Sequence, residues 1–154
     1  MNIFDKIQEI IESIGLFKRF NRYMFKGLVA PQIETFLRDK FNNIDYLEAT
    51  DYRYNTGHIG SLRHILDIIP TKMNTYKTEL FDCDDFAREY WYLAKRMYPS
   101  LPVGYCHVIR SDGVKHAANF IVYVTSRGRL SMAFIEPQLG KISYYDWQPY
   151  MMLI

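Results

Sequence analysis

The sequence is poor in the features that mark small secreted scaffolds, membrane spans and polyanion binders. Two cysteines, Cys83 and Cys106, occur in 154 residues. They are too few for a framework of bridges, so a reducing, cytoplasmic setting is expected. No stretch reaches the roughly 18 apolar residues that a spanning helix needs, and the start, Met1-Asn2-Ile3-Phe4-Asp5-Lys6, has acids where a signal peptide would be apolar. Charge of neither sign dominates. Nineteen Lys+Arg against 17 Asp+Glu leave +2, which argues against nucleic acid as a partner, because phosphate binding rests on clustered basic charge. Repeats, low-complexity runs and linkers are also missing, so 1–154 reads as a single domain.

What is present is apolar and aromatic: 49% hydrophobic residues and 13 tyrosines. Ile3, Phe4, Ile7, Ile10, Ile11 and Ile14 recur at helical spacing and predict a helix over 2–14. Residues 16–26 interleave basic and aromatic side chains as a helix face would. Pro31 starts a helix running to about Asn42, 43–60 reads as loop, and a short helix from Ser61 to Ile69 ends at Pro70. These make a helical lobe over roughly 1–70. Asp82 as N-cap and the spacing of Phe86, Tyr90, Leu93, Ala94 and Met97 predict a helix over 83–98. Three strands follow, 103–110, 116–125 and 129–136, separated by Ser111-Asp112-Gly113 and Ser126-Arg127-Gly128. Helices first and then an antiparallel sheet is an α+β order.

Cys83 stands one residue after the N-cap, where unpaired N–H groups and the helix dipole favour a thiolate, although Asp82, Asp84 and Asp85 oppose it. A three-residue loop with Gly128 in the left-handed position pairs Thr125 with Arg129. The register then sums to 254. It places His116 opposite Gln138 and Glu136 opposite Ala118, so His116, Glu136 and Gln138 share a face while Asn119 points to the other. Cys83, His116 and Glu136 are thus candidate nucleophile, base and orienter, in the order that thiol acyl transfer requires.

Three boxes, Phe81-Asp82-Cys83-Asp84-Asp85-Phe86-Ala87, His116-Ala117-Ala118-Asn119 and Phe134-Ile135-Glu136-Pro137-Gln138, resemble the papain-like C-terminal domain of the mushroom agglutinin family and its small phage and bacterial relatives. The resemblance covers roughly 80–140. It implies a papain-like core, peptide hydrolysis by a Cys83-His116-Glu136 triad with Gln138, Asn119 and Asp82 in support, a peptide or protein substrate, and dependence on calcium. The lectin domain of that family has no counterpart here, and 1–70 does not match it.

Asp82, Asp84, Asp85, Glu136 and His116 also offer hard ligands for calcium, with Asp85 the free candidate once Asp82 caps the helix. Cys106 and His107 are neighbours on a strand and face opposite ways, one core and one surface. His58 and His64 read as surface or satisfied polar residues. The alternative to the cysteine hydrolase is an inactive binding or inhibitory module on the same scaffold, viral or phage-borne. Its aromatic stretch Tyr144-Tyr145-Asp146-Trp147-Gln148-Pro149-Tyr150 would dock a partner or a second copy; as structure, the same stretch reads as a last strand closing the core.

Overall fold

The computed structural model describes residues 24–69 and 82–154. The expected helix over 2–14 and residues 16–23 of the basic–aromatic stretch lie outside them. Residues 24–26 are not helical; they open strand β1 (Met24–Val29). Helix α1 (Ala30–Lys40) has Pro31 in its first turn, where a missing N–H costs nothing, and the Gln32 side chain accepts from Val29 N at 3.0 Å. Two short strands, β2 (Tyr46–Glu48) and β3 (Arg53–Gly57), occupy the segment expected as loop. Helix α2 (Ile59–Leu66) then leads to α3 (Cys83–Met97). Strands β4 (Val103–Ile109), β5 (Lys115–Val124), β6 (Leu130–Glu136), β7 (Lys141–Ser143) and β8 (Gln148–Leu153) complete the chain order.

The α+β expectation of a papain-like core behind N-terminal helices is corrected by this order. Strand makes up 40% and helix 28% of the described residues, and strands β1 to β3 interleave with the first helices. The main sheet has six strands in the order β2-β8-β4-β5-β6-β7, while β1 pairs with β3 in a separate ribbon. It is mixed, because β2 runs parallel to β8. Strand β8 lies between β4 and β2. Its backbone is therefore spent inside the sheet, in keeping with the reading of this stretch as a last strand that closes the core.

Alternation along the strands builds two cores. Ile121, Tyr123, Ala133 and Ile135 face α2 and α3 and pack with Leu62, Tyr90, Leu93 and Ala94. Phe120, Val122, Phe134 and Met152 face the other way, onto Ile33 and Leu37 of α1 and Tyr54 of β3. Each large apolar side chain so buried contributes about 1.5–3 kcal/mol, which suffices to hold helices this short on the sheet.

Candidate functional site

The β5–β6 hairpin has the register expected from its loop. Asn119 pairs with Ile135 and Val124 with Leu130; Gly128 has φ 73°, and Gly128 N donates to Thr125 O at 2.9 Å. One consequence is an imidazole–carboxylate pair: His116 Nε2 lies 2.7 Å from Glu136 Oε2, with each side chain 11% exposed. The other Glu136 oxygen accepts from Gln138 N at 3.3 Å, so Gln138 contributes its backbone to this pair. His116 also stands edge-on to Trp147, with ring centroids 5.4 Å apart.

Cys83 is the first residue of α3 and is half-buried. It packs against Ala87, Tyr105 and Ala117. Because Ala117 faces α3, its strand neighbour His116 faces away, and among the described residues no hydrogen bond joins Cys83 to His116. Asn119 points toward α3, as expected, and donates to Ala87 O at 2.8 Å and Gly104 O at 3.1 Å. The structure thus brings His116, Glu136 and Gln138 together on one face, while Asn119 points toward α3, whose first residue is Cys83.

Asp82 caps α3 by accepting from Asp84 N at 3.2 Å, and Asp82 N donates to Asp85 at 3.3 Å. Oxygens of Asp82, Asp84 and Asp85 lie within 4.8 Å of one another. The donor set still does not fit calcium. Asp82 and Asp85 are committed to the helix cap, and the Arg88 guanidinium sits 2.6 Å from Asp84, where it would repel a divalent ion. A hydrogen bond with Asp82 raises the Asp84 carboxyl above the usual range, as expected of two acids sharing a proton. Millimolar calcium is expected to leave the melting temperature unchanged; a rise that saturates with calcium would overturn this.

The two cysteines separate sharply. Cys106 is fully buried, donates to Ala118 O at 3.4 Å, and has its thiol pKa pushed well up by burial. Iodoacetamide is expected to label Cys83 in the native protein at least about tenfold faster than Cys106, because alkylation needs an accessible thiolate. Equal rates measured by peptide mass spectrometry would refute that ordering.

Two features escaped the sequence. His107 is not a plain surface residue: its ring nitrogens meet the Tyr105 and Tyr150 hydroxyls, and burial together with the Arg88 charge holds the imidazole below its ordinary pKa. More prominent is a pocket of about 330 Å³ beside the His116–Glu136 pair, whose lining includes Lys40, Phe41, Phe134, Tyr145, Trp147 and Gln148. Tyr145 and Trp147 are stacked at 4.1 Å and 12°, and Trp147 meets Phe134 at 5.3 Å. The spacing of aromatics two apart at 145 and 147 was the available signal.

No family model matches the sequence, and no curated protein matches it. Among solved structures, a PSL1a complex with E-64 superposes with TM-score 0.68 at 22% identity, covering 83% of this chain and 51% of that one. Polyporus squamosus lectin bound to the human-type influenza-binding epitope Neu5Acα2-6Galβ1-4GlcNAc superposes with TM-score 0.64 at 22% identity, covering 83% of this chain and 49% of that one. The fold is one found in a lectin chain. This chain spans about half the length of those neighbours. The neighbours correct the papain-like recognition, and with it the cysteine hydrolase and peptide substrate it implied: the fold is one found in a lectin solved with a glycan bound. Among the described residues, no helix is long and apolar enough to cross a membrane.

Proposed function

We propose that this chain is a carbohydrate-binding module and that its ligand sits in the pocket walled by Tyr145 and Trp147. The observation that carries this reading is Tyr145, half-exposed on the pocket and backed by the stacked, buried ring of Trp147. A sugar ring presents apolar C–H faces and a polar rim, and an aromatic wall with Lys40, Asp146 and Gln148 around it matches both. The fold likeness to a lectin solved with a sialylated glycan supports the same reading.

The His116–Glu136 pair favours a supporting role for the expected site residues. A carboxylate-held imidazole fixes the edge of Trp147, and through it the angle of the pocket wall. Cys83 is a half-buried thiol at the start of α3.

A glycan array followed by calorimetry tests the proposal. Binding is expected for at least one oligosaccharide class, with Tyr145→Ala weakening it at least about tenfold, or about 1.4 kcal/mol, at unchanged circular dichroism. Absence of binding across the array, or binding indifferent to Tyr145→Ala, would end it.

A further inference from the structure

The net charge of +2 conceals a segregation of charge along the molecule. Three stretches of the sequence, 13–33, 52–66 and 113–135, contain no acid. The fold joins parts of all three at one end of the main sheet. Strand β1 pairs with β3, with Met24 opposite Gly57 and Lys26 opposite Thr56. The end of β3 in turn meets the end of β5: Thr56 Oγ1 donates to Val122 O at 2.7 Å, and His58 Nδ1 lies 2.9 Å from Val124 O. Just past Val124, the turn between β5 and β6 carries Arg127 and Arg129, and Lys26 Nζ donates to Gly128 O at 3.4 Å. Lys26, His58, Arg127 and Arg129 thus gather around one hairpin turn, with His58 and residues 126–129 exposed and Lys26 half-buried. Among the described residues no ion pair engages Lys26, Arg127 or Arg129.

Acids gather at the other end. Strand β5 runs from Lys115 to Val124, ten residues, or roughly 30 Å at about 3.3 Å per residue. At its start Cys83, the first residue of α3, packs against Ala117, which brings Asp82, Asp84 and Asp85 to that end. Asp112 sits in the turn that leads into β5, and Glu136 closes β6. Cations there are matched: Arg88 pairs with Asp84 at 2.6 Å, Arg110 pairs with Asp112 at 2.9 Å, and Lys141 stands opposite Glu136 in the register. One end of the sheet is therefore balanced, and the other is basic.

We infer that the basic end, built by Lys26, His58, Arg127 and Arg129, docks the protein on an anionic phospholipid surface. Each basic side chain beside such a surface strengthens binding about fivefold. A charged plane also acts on the segregation itself, turning the basic end toward the lipid and the acids away from it, so a low net charge is no obstacle. Nucleic acid fits this end less well. The segments that build it, 26–29, 55–60 and 124–131, hold no Phe, Tyr or Trp on which a base could stack. The inference is independent of the carbohydrate-binding reading, because its test uses lipids that carry no sugar.

The test is sedimentation of the full chain with vesicles of phosphatidylcholine alone and of phosphatidylcholine mixed with phosphatidylserine. Binding is expected on the mixed vesicles only, and should fall as salt rises. The double variant Arg127→Gln/Arg129→Gln should bind them at least about tenfold more weakly. Arg110→Gln/Lys141→Gln removes the same charge from the other end and should bind within about twofold of the parent, since roughly 30 Å exceeds the screening length of about 10 Å at 0.1 M salt. All four replaced side chains are exposed, so circular dichroism should be unchanged. Binding that ignores phosphatidylserine, no binding at all, or equal losses in the two variants would overturn the inference. So would a single-stranded oligonucleotide that binds more tightly than the mixed vesicles and loses its affinity in Arg127→Gln/Arg129→Gln, which would assign this end to nucleic acid.

Discussion

Gly104→Ala is expected to destabilise the protein by about 3 kcal/mol or more, at the upper end of what overpacking costs. Gly104 lies in β4 opposite Phe120 of β5, on the core face that also carries Cys106 and Val108. A Cβ built there comes closer than 3.0 Å to two atoms of the Phe120 ring and to the Leu153 carbonyl oxygen. Neither neighbour can give way. Phe120 is fully buried, and Leu153 belongs to β8, held between β4 and β2. The glycine therefore lets an aromatic ring lie against bare backbone in the middle of the sheet. Gly60→Ala is the control: it lies in α2 with nothing within 4 Å of the added carbon, and should gain about 0.5–1 kcal/mol from helix propensity. Urea unfolding of the two variants measures both; a Gly104→Ala loss below about 1 kcal/mol would refute the packing account.

The elements legible in the sequence are those with local signals. Asp82 and the 3–4 spacing through Ala94 gave α3 to within a residue, and Ser126-Arg127-Gly128 fixed the register that joins His116 to Glu136. Strand β3 was illegible because Arg-Tyr-Asn-Thr-Gly has a single large apolar residue, Tyr54. It becomes a strand through the Tyr54 hydroxyl, which donates to Ile154 O at 2.8 Å, and through pairing with β1. Strand β2 is equally silent, since its partner β8 lies about a hundred residues away and is joined in parallel, a contact with no local trace. The same distance hid the pocket. Phe41, Phe134 and Trp147 converge only when α1, β6 and the stretch before β8 are assembled, so the sequence offers the aromatic stretch as a docking surface or a last strand and leaves no local trace of the pocket wall. The motif boxes group Cys83, His116 and Glu136, and the register alone accounts for the pairing of His116 with Glu136 on the face opposite Ala117.

Asn119 offers the second large effect, and it separates hydrogen bonding from volume. The side chain is 0% exposed, and its amide ties the α3 backbone at Ala87 to the β4 backbone at Gly104; its Oδ1 has no partner among the described residues. Asn119→Ala removes both donated bonds and leaves two buried carbonyls short of a partner, for an expected loss of about 2–3 kcal/mol. Asn119→Asp keeps the shape but turns the donor into an acceptor facing two carbonyl oxygens. Its cost at neutral pH should exceed that of alanine by about 1–2 kcal/mol. The acid's folded pKa must then stand above the unfolded value of about 3.9. Stability attached to its protonated form is full below that value and is lost as pH rises through the folded pKa. Chemical denaturation at about pH 4 and pH 7 should therefore show Asn119→Asp recovering relative to Asn119→Ala at the lower pH, where the protonated carboxyl donates to one carbonyl again. A gap between the two variants that does not change with pH would mean the amide acts by packing alone.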